Sequence, residues 1–172
     1  MDILFYTTAF FSLYSYFFYP LILKLLPVRQ LTDALSNDVA TDNIPALSLI
    51  ITAHNEENRI REKLENTLKI NYPSELLEII VSSDFSTDET DHIVESYADK
   101  GVRLVRADER KGKEYAQLCA IRVAQGDILV FSDVATQIPA EAFRLLANQF
   151  SDDRIGAVSS EDQFISNDGE LV

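Results

Sequence analysis

LSLIITAHNEEN, spanning Leu47 to Asn58, decides the fold. Leu47 to Ile51 is an apolar run rich in Leu and Ile. It is too short for a buried helix and suits a strand covered on both faces, as in a parallel sheet. The run then breaks into a polar cluster, Thr52, His54, Asn55, Glu56 and Glu57, and a helix-like stretch follows. In an open α/β sheet ligands bind outside the carboxyl ends of the strands. This stretch therefore puts polar side chains where a ligand would sit.

Downstream the alternation repeats. Strands are expected at Leu47 to Thr52, Leu77 to Ser82, Val102 to Val105 and Asp127 to Ser132. Helices are expected at about Glu57 to Lys69, Asp88 to Lys100, Lys113 to Gln125 and Ala140 to Phe150. In the first helix Ile60, Leu64 and Leu68 share a face, and Asn71, Tyr72 and Pro73 end it. Ser86 or Thr87 is placed to cap the second, Gly101 to stop it, Gly126 to close the third, and Pro139 to start the fourth. Ile155 to Val158 reads as a fifth strand, and Ser159 to Val172 carries no clear element. Strands alternating with helices of this length predict an α/β fold with a doubly wound, mainly parallel sheet and right-handed crossovers. With strand order 3-2-1-4, strands one and four flank the switch point.

Upstream, Ile3 to Leu23 contains no charged residue and is dense in Phe and Tyr. As a helix its roughly 21 residues would span about 30 Å, the thickness of a bilayer's hydrocarbon core. Pro20 would kink such a helix without excluding it. The stretch lacks the basic start and small-residue cleavage site of a signal peptide. Lys24 and Arg29 follow it, which by the positive-inside rule predicts a single-pass inner (cytoplasmic) membrane protein whose domain faces the cytoplasm. Gln30 to Pro45 is polar and irregular. The expected organisation is a transmembrane anchor at 1–28, a linker at 29–45 and one domain at 46–172, the bilayer being a partner.

The 172 residues are 47% hydrophobic with a net charge of −13, which fits a packed domain and argues against a nucleic-acid partner. Cys119 is the one cysteine, so no internal disulfide exists, and its helical setting suggests a small core residue. His92, on a polar helix, reads as solvated.

Three strand ends carry groups fit for a ligand: His54, Asn55 and Glu56 after strand one; Ser83, Asp84, Ser86, Thr87 and Asp88 after strand two; and Asp133 after strand four. Lys113 opens helix three, whose positive end could face an anion. Carboxylates, a lysine and a helix N-terminus in one crevice suit a nucleotide diphosphate. Each residue also has a plainer role: Asp84 and Asp88 capping helix two, Asn55 and Glu56 capping helix one, Asp133 making an Asx turn, Lys113 standing in solvent, His54 serving a turn. Neither G-x-G-x-x-G nor G-x-x-x-x-G-K-[ST] occurs, so a Rossmann dinucleotide site and a P-loop find no support.

From about Pro45 to Ala157 the chain resembles the membrane-anchored bacterial family-2 glycosyltransferases of the GT-A fold. LSLIITAHNEE is similar to the family's opening strand and Asn-Glu motif, EIIVSSDFSTDET to its second strand and acid-rich turn, RKGKEYA to its basic loop, and GDILVFSDVAT to the strand bearing its D-x-D motif. IPAEAFRLLANQF and IGAVSS follow in family order. The resemblance implies inverting transfer of a sugar from a nucleotide-diphosphate sugar. It implies that Ala53, His54 and Glu56 line the nucleotide pocket, that Asp84 hydrogen-bonds the base, that Lys113 lies near the phosphates, and that Asp133 helps hold Mg²⁺ or Mn²⁺ on the diphosphate. Two residues depart from the pattern. Ala135 stands at the second acid of D-x-D, and Leu118 stands where asparagine is frequent. The family's base lies on a later acidic motif, which the resemblance places beyond Val172; Glu161-Asp162 follows the fifth strand too closely to be that motif. The expectation is a truncated enzyme carrying the donor-binding half, with a second chain as one source of the acceptor half. The competing readings are a non-catalytic membrane-anchored nucleotide-binding or assembly module and a sugar nucleotidyltransferase. The latter expects a glycine-rich loop after strand one, which TAHNEENR lacks.

Overall fold

The computed structural model describes residues 2–25 and 44–160. The chain divides into two compact units, Met1–Ser36 and Asn37–Val172. The expected linker up to residue 43 and Glu161-Asp162 lie outside the described residues.

The first unit is helical throughout its described part. Helix α1 (Asp2–Leu13) runs into a π-helical segment (Tyr14–Phe18) and then helix α2 (Tyr19–Leu25). Leu13 and Tyr19 both have right-handed helical backbone, and the Tyr19 N–H donates to the Tyr14 carbonyl five residues back. This widened turn sits immediately before Pro20, whose ring would collide with the carbonyl four residues upstream in a regular helix. Thr7 and Thr8 donate their hydroxyls to carbonyls three and four residues back, so both are satisfied within the helix. The helix expected from sequence, with a perturbation near Pro20, is present as three abutting segments. Among the described residues no single helix is long and apolar enough to cross a membrane.

The second unit holds four parallel strands, β1 (Leu47–Ala53), β2 (Leu77–Ser83), β3 (Val102–Arg106) and β4 (Ile128–Asp133), in the order β3-β2-β1-β4. The expected strands and their order are present, each within a residue or so of its expected ends. Helices α3 (Ile60–Thr67), α4 (Thr90–Glu95), α5 (Lys113–Ile121) and α6 (Ala142–Gln149) are shorter than expected. A turn of 3₁₀ helix, Ala98–Lys100, follows α4, and Gly101 ends it at φ 84°, where a side chain would be strained.

Alternate strand residues feed two cores. Leu49, Ile51, Ile79, Val81 and Val130 face the larger one, with Ile60 and Leu64 of α3, Val94 of α4 and Phe143 of α6. Ile50, Ile80 and Ala120 of α5 form the smaller one. The buried face of α3 is Ile60, Lys63, Leu64 and Thr67, while Leu68, expected on it, is exposed. Buried Ala116 and Ala120 let α5 approach closely, and the Ser82 hydroxyl donates to the Ala116 carbonyl at 2.5 Å. Gly126 is needed for contact rather than for turning: a Cβ there would lie 2.5 Å from the Ser48 amide nitrogen of β1.

Two expectations fail. Ile155 to Val158 forms no strand. The run is largely exposed, with Val158 at 40%, and Gly156 inside it weakens any strand. On the face of the sheet that α5 covers, β4 is left open, with Leu129 37% and Phe131 48% exposed. Cys119 is half-buried rather than in the core, and His92 is exposed as expected.

Candidate functional site

The chain rises through β1, β2 and β3 to one side and crosses to β4 on the other, so the switch point lies between β1 and β4. Register pairs Thr52 of β1 with Asp133 of β4, and Ala53 with Ser83 of β2.

The turns after β1 and β2 are built alike. Asn55 and Phe85 each stand second after their strand with positive φ, 53° and 55°. Asn tolerates this backbone; a bulky aromatic does not, so Phe85 is a strained position. The Arg106 guanidinium lies 4.6 Å from the Phe85 ring centroid and is itself paired with Asp91.

The two turns are sewn together. The Asp84 amide donates to the Ala53 carbonyl (2.9 Å). Thr87 N donates to Asn55 Oδ1 (2.8 Å), Glu56 N to Thr90 Oγ1 (2.8 Å), and Glu57 N to Asp88 Oδ2 (3.1 Å). His54 Nδ1 lies 2.7 Å from the Asp84 carbonyl. A carbonyl only accepts, so His54 Nδ1 carries a proton and donates it to this bond.

The capping roles expected for these residues are therefore redistributed. Asp88 does serve the start of α4, accepting from Thr90 N at 3.0 Å. Burial pushes its carboxyl upward, but hydrogen bonds from Thr90 and Glu57 outweigh this and hold it below the ordinary value. Asp84 does not cap α4. It is 5% exposed, and its Oδ1 accepts from the Lys111 amide (3.2 Å) and the Gly112 amide (3.0 Å), fixing the basic loop over the end of β2. Asn55 serves the opposite turn rather than helix α3. Glu56 starts α3 through its carbonyl, which accepts from Ile60 N (2.8 Å).

Lys113 is the first residue of α5, after Gly112 at φ 93°. Its Nζ donates to Asp133 Oδ1 at 2.6 Å, both side chains more than half exposed. Such a pair contributes little to stability and opens readily for a ligand. The turn after β4 closes through backbone, Thr136 N to the Asp133 carbonyl (3.2 Å), and not through the Asp133 side chain.

The structure thus gathers Ala53, His54 and Asp84 around the ends of β1 and β2, and joins Lys113 to Asp133 across the switch point. Glu56 is drawn into the joint between α3 and α4. Two further residues bear on the site: Thr52, part of the polar cluster read from the sequence, and Lys63, which the sequence did not mark. The Thr52 hydroxyl, in register with Asp133, is buried and has no hydrogen-bond partner among the described residues. Lys63 lies beneath the β4 turn, and burial lowers its pKa to about 8 against a smaller opposing pull from Asp133. Nothing local in the sequence marks Lys63.

The chain and its fold are similar to known proteins. The model of the family described as Glycosyl transferase family 2 matches residues 48–170, well over half of the chain. The chain belongs to glycosyltransferase family 2. This family-2 chain is 33% identical over 122 residues to the probable glycosyltransferase YdaM of Bacillus subtilis, covering 67% of this chain and 29% of that protein. It is 30% identical over 120 residues to beta-monoglucosyldiacylglycerol synthase of a Nostoc species, covering 67% and 26%. Its fold superposes on the mannosyltransferase PcManGT of Pyrobaculum calidifontis, solved in complex with GDP-Man and Mn²⁺. The TM-score is 0.64 and the identity 31%, covering 67% of this chain and 35% of that one. The chain therefore spans about three-tenths of the length of the curated relatives it matches.

Proposed function

We propose that this family-2 chain is the donor-binding half of a membrane-anchored enzyme that transfers a sugar from a nucleotide-diphosphate sugar, with inversion. In that reaction an acceptor hydroxyl attacks the anomeric carbon as the bond to the diphosphate breaks, and nucleoside diphosphate leaves. The observation that carries the reading is the placement of Asp84, Lys113 and Asp133 around one switch point, with Lys113 2.6 Å from Asp133. In this reading Asp84 and His54 meet the base and its sugar, and Lys113 the phosphates. The residue that takes the acceptor's proton is not assigned among the described residues.

For the metal, the fit is partial. Among the described residues no group of three or more His, Cys, Asp or Glu is placed to hold an ion, and Ala135 offers no ligand. Mg²⁺ or Mn²⁺ can take most of its ligands from phosphates and water and only one or two carboxylates from protein. Asp133, exposed and at the strand end, would serve in that mode. When bound, the ion would act as a Lewis acid toward the departing diphosphate. Ala135 also favours a second reading, a module that binds nucleotide without transferring sugar.

The membrane reading is supported by the abutting helical segments of Asp2–Leu25, roughly 35 Å end to end at ordinary helical rise. Their aromatic and aliphatic side chains are exposed all round, as fits a helix buried in lipid. Lys24 and Arg29, after the apolar stretch, support a cytoplasmic side for the domain by the positive-inside rule.

The deciding experiment is calorimetric titration of the detergent-solubilised chain with UDP and with GDP, with and without Mn²⁺. Binding enhanced by Mn²⁺, with the enhancement lost in Asp133→Ala, is the expected result. Absence of binding to any nucleoside diphosphate refutes the donor site. Binding without transfer to any acceptor, even with the remainder of the enzyme supplied, favours the second reading.

A further inference from the structure

The largest fully buried side chain among the described residues belongs to a lysine. An ammonium in such a place is costly unless it is well hydrogen-bonded. Lys63 projects from α3 and donates to Ser132 Oγ at 2.7 Å and to the Thr136 carbonyl at 2.6 Å. Those two residues bracket Asp133, Val134 and Ala135. The Ser132 hydroxyl in turn donates a hydrogen bond to the Asp133 carbonyl at 3.3 Å.

Lys63 does not act alone. One turn further along α3, Asn66 makes two hydrogen bonds to Ile138, accepting from its amide (2.8 Å) and donating to its carbonyl (3.0 Å). Glu62 accepts from Gln137 Nε2 at 3.0 Å. Three α3 side chains thus hold the segment from Ser132 to Ile138. A methionine would fill the space of Lys63 without its desolvation cost, but would leave Ser132 and Thr136 without this donor. Being sealed from solvent, Lys63 cannot touch a ligand, so any effect on donor binding passes through the turn.

We propose that Lys63 is a positioning residue for the donor: its ammonium ties both ends of the Ser132–Thr136 turn to α3 and so sets where the Asp133 carboxylate meets the diphosphate and its metal. This rests on the donor-site reading above. The distinguishing property is that Lys63 serves Asp133 and not Asp84, whose loop is held by separate contacts. Losing Lys63 therefore affects the metal-assisted part of binding and spares the rest.

The test is titration of the full chain in detergent with UDP and with GDP, each with and without Mn²⁺, for wild type, Lys63→Met and Ser132→Ala. The expected result is that Lys63→Met removes at least tenfold of the Mn²⁺ enhancement while metal-free affinity changes less than twofold. Ser132→Ala should remove about threefold. A merely structural role would weaken both conditions alike, and that result overturns the proposal, as does an unchanged enhancement in both variants. If Lys63→Met loses its far-UV circular dichroism, Ser132→Ala decides alone. Wild-type binding that Mn²⁺ does not enhance also overturns it, since Asp133 would then have no donor role to be positioned for. No nucleotide binding at all refutes the donor site itself and this role with it.

Discussion

Burial of Lys63 has a consequence for stability that pH reads directly. Its pKa falls from 10.5 to about 8 in the folded chain, chiefly through desolvation. Below about pH 8 the folded and unfolded states both carry the ammonium, and the full penalty of burying it is present. Between pH 8 and 10.5 the unfolded state binds more protons than the folded one, so stability rises with pH, by up to about 1.4 kcal/mol per unit. Above 10.5 neither state is charged. The shift corresponds to about 3 kcal/mol over the window. Other groups titrate there too, among them Tyr72, whose pKa burial raises; the difference between wild type and Lys63→Met cancels them. The assay is urea unfolding in detergent, followed by far-UV circular dichroism at half-unit steps from pH 7.5 to 10.5. Wild type should gain about 3 kcal/mol on Lys63→Met across the range. With a urea dependence of about 1.5 kcal/mol/M for a domain of this size, the midpoints should converge or separate by about 2 M. A difference flat to within about 0.5 kcal/mol would mean that the bonds to Ser132 and Thr136 favour the ammonium as strongly as burial opposes it, and would refute the desolvation argument.

Asp84→Ala should abolish nucleotide binding, because it removes both the expected base contact and the acceptor that holds the Lys111 and Gly112 amides; unchanged affinity in titration counts against the pocket. Asp88→Ala should cost about 1–2 kcal/mol at neutral pH in urea unfolding. Since the Asp88 carboxyl is held below its ordinary value, that stability is present above the unfolded pKa, and the difference from wild type should close as pH falls through the folded one. Gly126→Ala should lower the thermal midpoint clearly, as its Cβ meets backbone at 2.5 Å, while Gly156→Ala, into open space, should not.

What was legible in the sequence was what repetition and local chemistry encode. Strands β1 and β2 announce themselves because a strand covered on both faces must be an apolar run, while β3 and β4, partly exposed, follow from the alternation of strands with helices. The placement of Asp84, Lys113 and Asp133 follows once those runs are threaded as a parallel sheet, since parallel connection puts every strand's carboxyl end at the same edge. Choices among partners were not legible. The capping roles of Asp84 and Asn55 were open because each carboxyl or amide had a nearby amide in sequence and a different one in space, across separations of 27 and 32 residues. Lys63 was invisible because a lysine between Ile60 and Leu64 reads as solvated. Its burial depends on Ser132 and Thr136, about seventy positions later. The false fifth strand has the opposite cause: apolar content stated a need for burial, and no partner met it.

Ala135 sharpens the question of how the diphosphate is neutralised. In the folded chain Asp133 is held by Lys113, while Lys63 is sealed beneath the same turn, so the groups open to a ligand are one cation and one carboxylate. A diphosphate can be met by such a set without a metal, and a metal can be met by it only weakly. Ala135 is exposed and two residues beyond Asp133, so a carboxylate there would meet no packing obstacle. Ala135→Asp should therefore shift the balance from protein cation to metal. Nucleotide affinity without Mn²⁺ should fall by about threefold, the effect of roughly 0.6 kcal/mol of added like-charge repulsion across an exposed site. Affinity with Mn²⁺ should rise by about tenfold, as a second carboxylate joins the first on the ion. Parallel titrations with and without Mn²⁺ measure both changes on one sample. If neither moves, position 135 does not face the diphosphate, and the turn after β4 presents Asp133 in another direction than the resemblance implies. If both fall, the added acid repels the donor without capturing the ion, and Lys113, not a metal, is the principal partner of the phosphates.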